Sequence, residues 1–511
     1  MLTYNDYLEI NSSDPKTIMN FVMQVIEDHK NSELYKTALI ATEYDKHKNV
    51  TITKYQKLLY TVTGKAVPDN YSANFKLASR FFNRFVVQEN QYLLGNGVTW
   101  QEDSTEEVLG KDFDYKLQKA GKFALIGGVS FGFFNLDHMD VFPVTEFAPL
   151  YDEENGAMMA GVRFWQLDPQ KPTRATFYEM DGYTEYIWTN REKTLQNGKW
   201  TVIDNGKGMI PKRPYKLKIR TSEADGTEIY DGENYETFPI VPLWGNPEHQ
   251  SEIVGLREQI DCYDLIKSGF ANTVDEGSII YWLIQNAGGM DDIDLVKFVE
   301  RIKTMHAASV GSDNGEGATA EAHTLEPPYQ SREALLKTLR SDLYDDAMAL
   351  DTKEISNGAV TATQIEAAYE PLNEKTDQYE HCVLDFLSDI LKIAGVTEEN
   401  PTFTRSLIVN KSEEITSVIQ GSEYFDEEYV TRKLLDILGD GDLAEEILER
   451  IRNNEADRMG FGDETEEYKD VEMEDEETEE LSEDSEVSED ETDETSIIEK
   501  ILKMLKDLMG E

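Results

Sequence analysis

Between residues 251 and 395 helical seams alternate with interruptions in an order that leaves few folds open. Ile253, Leu256, Ile260, Tyr263, Ile266 and Phe270 recur every three or four residues, which predicts an amphipathic helix. A β-rich insert follows. Residues 278–283 read as a strand, 293–305 as a short helix, and 308–326 as a Gly-punctuated, hairpin-like segment ending at Pro327-Pro328. A second helix is expected from about Ser331, with Leu336, Leu339, Leu343 and Ala347 on one stripe. The polar stretch 351–358 interrupts it. From Thr361 the third helix is the most regular in the chain: Ile365, Tyr369, Leu372, Thr376, Tyr379, Val383, Phe386 or Leu387, Ile390 and Ala394 alternate steps of four and three. Pro371 inside it predicts a kink, because proline removes one hydrogen bond and crowds the preceding turn. Long helices holding a loop, with no catalytic constellation between them, suit a mechanical part better than an enzyme. On periodicity alone the simpler reading is an intramolecular bundle in which residues 352–360 are an ordinary connection.

The 511 residues suffice for two to four compact regions, and a 39% hydrophobic, 10% aromatic composition fits a globular body. The formal charge of −52 is extreme. Residues 463–494 carry 20 acids and one Lys, a net −19, which leaves −33 on the other 479 residues. Such a surface repels phosphate and argues against a sequence-reading DNA binder, though not against a protein that DNA must pass without sticking. Cys262 and Cys382 sit 120 residues apart inside helical patterns, which excludes a disulfide framework and points to a reducing compartment. MLTYNDYLEI lacks the pattern of a secretory signal, and no apolar run approaches eighteen residues, so a soluble, intracellularly made protein with no membrane contact is expected.

The first half reads as α+β. Helices are expected over 14–30, 32–45, 73–94 and 112–125, the third stopping at Gly95-Asn96-Gly97. β-Branched and aromatic runs at 141–142, 159–167, 175–179, 183–188, 200–203 and 215–219 predict strands. Turn residues at 154–156, 181–182, 197–198 and 225–226 make the simplest arrangement an antiparallel meander packed on the N-terminal helices. After Gly395 a strand at 405–410 and further helices to about 453 are expected. Residues 463–494 have the composition of a disordered spacer, and 497–509 the pattern of an amphipathic helix with Lys500, Lys503 and Lys506 on or near its polar side. The spacer could tether that helix to an assembly partner.

No phosphate loop is present, since Gly64-Lys65 is followed by Ala66 and lacks the upstream glycine. Gly127, Gly128 and Gly132 are framed as a turn, not as a dinucleotide fingerprint. The seven histidines are dispersed with no i, i+4 pair, so no zinc-type site, metal or cofactor is expected. Two other function classes stay open on residues alone. One is a metal-dependent nuclease or nucleotide-processing enzyme built from Asp and Glu; the other is an acidic, chaperone-like binder of basic proteins.

Several blocks taken together resemble the portal proteins, or head–tail connectors, of tailed bacteriophages of siphophage type. They are SRFFNRFVVQENQYLLGNGVTW (79–100), LQKAGKFALIGGVSFGFF (117–134), the strand pair around Tyr151-Asp152-Glu153 and Gly161 to Trp165, and FPIVPLWGNPEHQSEI (238–253). The resemblance covers about residues 10–450 and includes the element order. It implies a non-enzymatic homo-oligomer, a ring of twelve at one capsid vertex of the virion, assembled in the host bacterial cytoplasm. Double-stranded DNA would pass through it non-specifically. The implied partners are the terminase large subunit, head–tail adaptor proteins, and the major capsid and scaffolding proteins. It further implies an α+β wing (1–250), stem helices (251–275 and 328–351), a small α/β clip (276–327), a tunnel loop (352–360), a long kinked wing helix (361–394) and a helical crown (395–455). The acidic linker (456–494) and the terminal helix (495–511) fall outside the match.

On this reading Ile253, Leu256, Ile260, Tyr263, Leu336, Leu339 and Leu343 pack the stem, and Ile280, Trp282 and Ile284 belong to the docking surface of the clip. Thr352, Lys353, Ser356, Asn357, Gly358 and Val360 face DNA from the loop. Deleting residues 463–511 should leave the body folded, with an unchanged urea midpoint.

Overall fold

The computed structural model describes residues 2–10, 14–60, 65–69, 73–189, 201–204, 207–221, 228–276, 281–284, 320–323, 329–353, 362–396, 399–406, 415, 418–439 and scattered positions from 441 to 450. It divides into two compact units, Met1–Glu414 and Ile415–Glu511. The expected helix at 293–305, the turns at 197–198 and 225–226, the acidic run and the amphipathic segment 497–509 lie outside the described residues.

In the first unit the helices are α1 (Tyr4–Leu8), α2 (Pro15–Asn31), α3 (Glu33–Asp45), α4 (Val50–Lys54), α5 (Phe81–Leu94), α6 (Asp103–Leu109), α7 (Phe113–Gly127), α8 (Arg257–Glu276), α9 (Tyr329–Asp346) and α10 (Ala362–Ala394). The second unit contains α11 (Glu427–Leu438). Local chemistry sets the boundaries. The Asp14 side chain accepts from the Lys16 N–H at 3.1 Å and Pro15 opens α2; Ser32 then ends α2 and caps α3, its Oγ accepting from the Tyr35 N–H. α10 runs unbroken through Pro371, which is exposed on its outer face, and closes with the Val396 N–H donating to the Leu391 carbonyl at 3.0 Å.

The strands are β1 (Leu58–Tyr60), β2 (Ala66–Pro68), β3 (Val98–Thr99), β4 (Val129–Asn135), β5 (His138–Pro143), β6 (Phe147–Tyr151), β7 (Met158–Trp165), β8 (Thr173–Glu179) and β9 (Gly182–Trp188). They continue as β10 (Thr201–Asp204), β11 (Lys207–Arg213), β12 (Lys216–Thr221), β13 (Glu228–Glu233), β14 (Ile240–Trp244), β15 (Tyr281–Ile284), β16 (Ala320–His323) and β17 (Thr402–Phe403). The expected meander is a six-stranded antiparallel sheet, order β10-β11-β9-β8-β7-β6. A second sheet, β14-β4-β5, places Pro242 on an edge strand, where its missing N–H costs no ladder bond.

Three apolar clusters join these layers. α1 and α2 lay Tyr7, Phe21, Val22, Val25 and Ile26 on Leu150, Val162, Phe164 and Phe177 of the large sheet. Phe131, Phe133 and Phe142 of the small sheet meet Phe147, Tyr178 and Tyr215. The largest cluster collects α5, α7 and α10 with the start of α8 and the end of α9. Every α10 stripe position from Tyr369 to Ile390 is buried, as the periodicity predicts.

Three sequence expectations need correction. The helix expected from residue 73 begins only at Phe81; residues 73–80 stay out of the helix, for a reason given by α8 below. Of the strand expected at 405–410, residues 405 and 406 carry no strand and 407–410 lie outside the described residues; a short strand, β17, precedes them and pairs with β3, and Arg405 bonds to Asp377 and Glu380 of α10. Of the three glycines framed as a turn, Gly127 and Gly128 end α7, but Gly132 lies within β4. A Cβ at Gly132 would sit 2.5 Å from the Phe386 ring of α10. Gly132→Ala should therefore cost about 1–3 kcal/mol in urea unfolding, and adding Phe386→Leu should recover part of that loss.

Candidate functional site

α8 and α9 lie side by side and antiparallel. The Phe270 and Tyr329 rings meet edge-on at 5.5 Å, Arg332 Nη1 donates to Thr273 Oγ1 at 2.8 Å, and at the other end Gln259 bonds to Asp346. The chain continues beyond the Phe270 end into β15 and β16, which pair antiparallel from Tyr281↔His323 to Ile284↔Ala320. The arrangement is a helical hairpin extended by paired strands.

The two faces of α8 do different work. Ile253, Leu256 and Ile260 at its approach and start are buried in the main core with Leu343, and Tyr263 turns its ring edge onto Phe81 at 5.0 Å. Leu336 and Leu339, farther along the hairpin, are half-buried. The neighbouring face is a polar rail. Asp261 accepts from the Tyr44 and Thr51 hydroxyls. Asp264, fully buried, accepts from Asn49 Nδ2 and from the Ser79 N–H at 2.9 Å. Ser268 Oγ accepts from the Leu77 N–H at 3.0 Å, and Asn272 Oδ1 from the Phe75 N–H at 2.7 Å.

The spacing explains the rail. Four residues of helix rise about 6 Å, close to the roughly 6.7 Å spanned by two residues of extended chain. Side chains at 264, 268 and 272 therefore reach every second amide at 79, 77 and 75. A helical segment 73–80 would turn those amides inward on itself and leave the Asp264 carboxylate without them. Burial raises the Asp264 pKa even against the hydrogen bonds of Asn49 and Ser79. The i, i+4, i+8 pattern of Asp264, Ser268 and Asn272 is the signal that the apolar-stripe reading passed over.

At the root of the hairpin Lys375 of α10 is held between two carboxylates, Glu89 of α5 at 2.8 Å and Glu252 before α8 at 2.7 Å, and donates to the Ala347 carbonyl after α9 at 3.3 Å. Burial pulls the ammonium pKa down, but the two carboxylates push it above the ordinary lysine value. Burial raises Glu89, only 3% exposed, to about 7; Lys375 opposes this and Glu252 adds to it. A cavity of about 280 Å³ adjoins the cluster, lined by Glu252, Leu256, Asp346, Met348 and Lys375 among others.

The start of the 352–360 stretch is anchored as well. Arg340 clamps Asp351 bidentately, Nη2 donating to Oδ1 at 2.7 Å and Nε to Oδ2 at 3.1 Å, and Asp351 Oδ1 also accepts from the Lys353 N–H at 3.0 Å. Gln88 Nε2 donates to the Leu350 carbonyl and Arg84 to the Tyr344 hydroxyl, tying the end of α9 to α5. Thr352 and Lys353 form a short helical turn and are exposed; Ser356, Asn357, Gly358 and Val360 lie outside the described residues. So does Ile280, while Trp282 and Ile284 belong to β15. Among the described residues no three His, Cys, Asp or Glu side chains gather to hold a metal ion, and no helix is long and apolar enough to cross a membrane.

Ion pairs at this site join secondary-structure elements, and the class of the protein follows from its family, which is structural and non-enzymatic. The chain belongs to the phage portal protein family, SPP1 Gp6-like, whose sequence profile matches residues 26–457. Members of this family form ring oligomers in the virion and connect head and tail. The portal protein of Bacillus phage SPP1 is 24% identical over 438 residues, covering 80% of this chain and 81% of that protein. The portal protein of Clostridium phage phiCD119 is 24% identical over 234 residues, covering 42% of this chain and 51% of its own. A solved structure described as the neck of a native GTA particle computed with C12 symmetry matches with a TM-score of 0.35 and 8% identity, over 69% of this chain and 89% of that one. So loose a likeness carries no argument.

Removing the shared cation is the informative perturbation. Lys375→Met should cost about 3–5 kcal/mol in urea unfolding, because the buried Glu89 and the partly buried Glu252 lose their shared partner. Glu89 has its own pH signature. Its folded pKa lies above its unfolded one, so the folded state holds the extra proton between about pH 4.5 and about 7. That stability is fully present below pH 4.5 and is lost as pH rises through 7, up to about 3 kcal/mol in all. Glu89→Gln should flatten this limb of the stability–pH curve.

Proposed function

We propose that the chain is the subunit of a closed ring of twelve copies at one capsid vertex, forming the channel through which double-stranded DNA enters and leaves the head. The single observation that carries this reading is the antiparallel α8–α9 hairpin with its paired strands in a chain of the portal family. A projection of that form is a suitable stem. Residues 276–327, including Ile280, Trp282 and Ile284, would be the clip that receives the terminase large subunit during packaging and head–tail adaptors afterwards. Residues 1–250 and 361–394 would be the wing and 395–455 the crown, with the major capsid and scaffolding proteins as further assembly partners in the host cytoplasm.

The electrostatics support a conduit. A body of net −33 outside the acidic run offers few phosphate-neutralising contacts, so DNA passing through is not trapped by counterion release. Thr352, Lys353, Ser356, Asn357, Gly358 and Val360 would meet the DNA. The clamp between Arg340 and Asp351 supports this by fixing the root of a polar, Gly-containing stretch. The nuclease reading has no observation in its favour, and the family is structural.

Negative-stain images of the purified chain should show closed rings near twelve times the chain mass; a monodisperse monomer under assembly-favouring salt would overturn the proposal. Shortening residues 352–360 should lower DNA packaging at least tenfold while rings still form. Packaging that survives loss of the stretch would remove it from the DNA path.

A further inference from the structure

An aromatic patch in the second unit is left open to solvent. Tyr424 is 84% exposed, Phe425 59% and Tyr429 51%, with the Phe425 and Tyr429 rings 5.2 Å apart. Asp426 holds them in place by accepting from the Tyr429 N–H at 2.7 Å, which starts α11. Ile419, 44% exposed, precedes them in the same unit. Three neighbouring aromatics on one helix start form an anchor surface of the kind that apolar helix faces recognise.

We propose that this patch is the docking site for residues 497–509 of the same chain. Four considerations select that occupant. Ser496-Ile497-Ile498-Glu499 has the capping-box pattern of a helix start, and Ile498, Ile501, Leu502, Leu505 and Leu508 then form one apolar stripe. A helix of about 13 residues is marginal alone in water and needs an apolar surface to persist. The patch and the tail belong to one unit, Ile415–Glu511. The chain between the patch and that segment is long and is extended further by its own charge, so the segment can reach its own unit as an intramolecular partner at raised effective concentration. The 20 acids within it repel one another and the acidic body, so the connecting run stays solvated while only its end docks. The tail is then a tethered cover for an aromatic surface.

Hydrogen–deuterium exchange on the full-length chain tests this. Amides of 497–509 should exchange at least tenfold more slowly than in the isolated 495–511 peptide. Tyr424→Ser, Phe425→Ser and Tyr429→Ser combined should return them to the peptide rate. Ile501→Asp, which lies in the tail and leaves α11 intact, should do the same and should also speed exchange at 424–438. Protection should be present in the monomer fraction isolated in low-assembly salt and should not change on its tenfold dilution. Peptide-like exchange in the unmodified chain would overturn the proposal, as would protection that survives the aromatic variant. Protection that falls on dilution would overturn it too, by making a second copy the occupant.

Discussion

One ammonium group ties together four segments that lie far apart in sequence. Lys375 links α10 to α5 through Glu89, to the approach of α8 through Glu252, and to the end of α9 through the Ala347 carbonyl. A buried charge is costly unless paired, and here the pairing comes from segments far apart in sequence. The hairpin root, the long helix and the central helix of the N-terminal half cannot move independently without uncovering at least one of the three charges. Tyr379, one turn along α10, adds a neutral bond to Asn90 beside this cluster, and burial holds its hydroxyl protonated.

The polar rail extends the same logic along α8. A projecting helix cannot be held by apolar packing on all sides, because its outer length leaves the core. α8 instead hands carboxylate, hydroxyl and amide acceptors to the amides of a non-helical segment at matched spacing. The rail and the Lys375 cluster together seat a hairpin on a body while leaving its far end to the strands β15 and β16. For a protein of the portal family, that seating is the mechanical link between the body and whatever the hairpin meets.

Much of this was legible in the residues. The α10 stripe was readable position by position because a helix buried along one face repeats its apolar residues at helical period whatever it packs against. Ile253, Leu256, Ile260 and Leu343 were legible for the same reason. The meander was readable from β-branched runs between turns, whereas β4, β11, β13 and β14 were not separately assigned. β14 contains Pro242, a strand breaker that an edge position tolerates, and β4 is apolar on both faces, so neither shows simple alternation.

By itself the sequence determined the existence and type of the main helices and of the meander, the buried face of α10, and membership of a family whose profile spans residues 26–457. These are local patterns, or sums of local patterns. Only the tertiary structure decided that residues 73–80 stay out of the helix, although Phe75 and Ala78 continue the helical spacing of α5. It alone decided that Glu89, Glu252 and Lys375 share one buried site. Both outcomes depend on partners more than 100 residues away, and a hydrogen-bond acceptor or counter-charge that folding brings in leaves no period in the chain it meets.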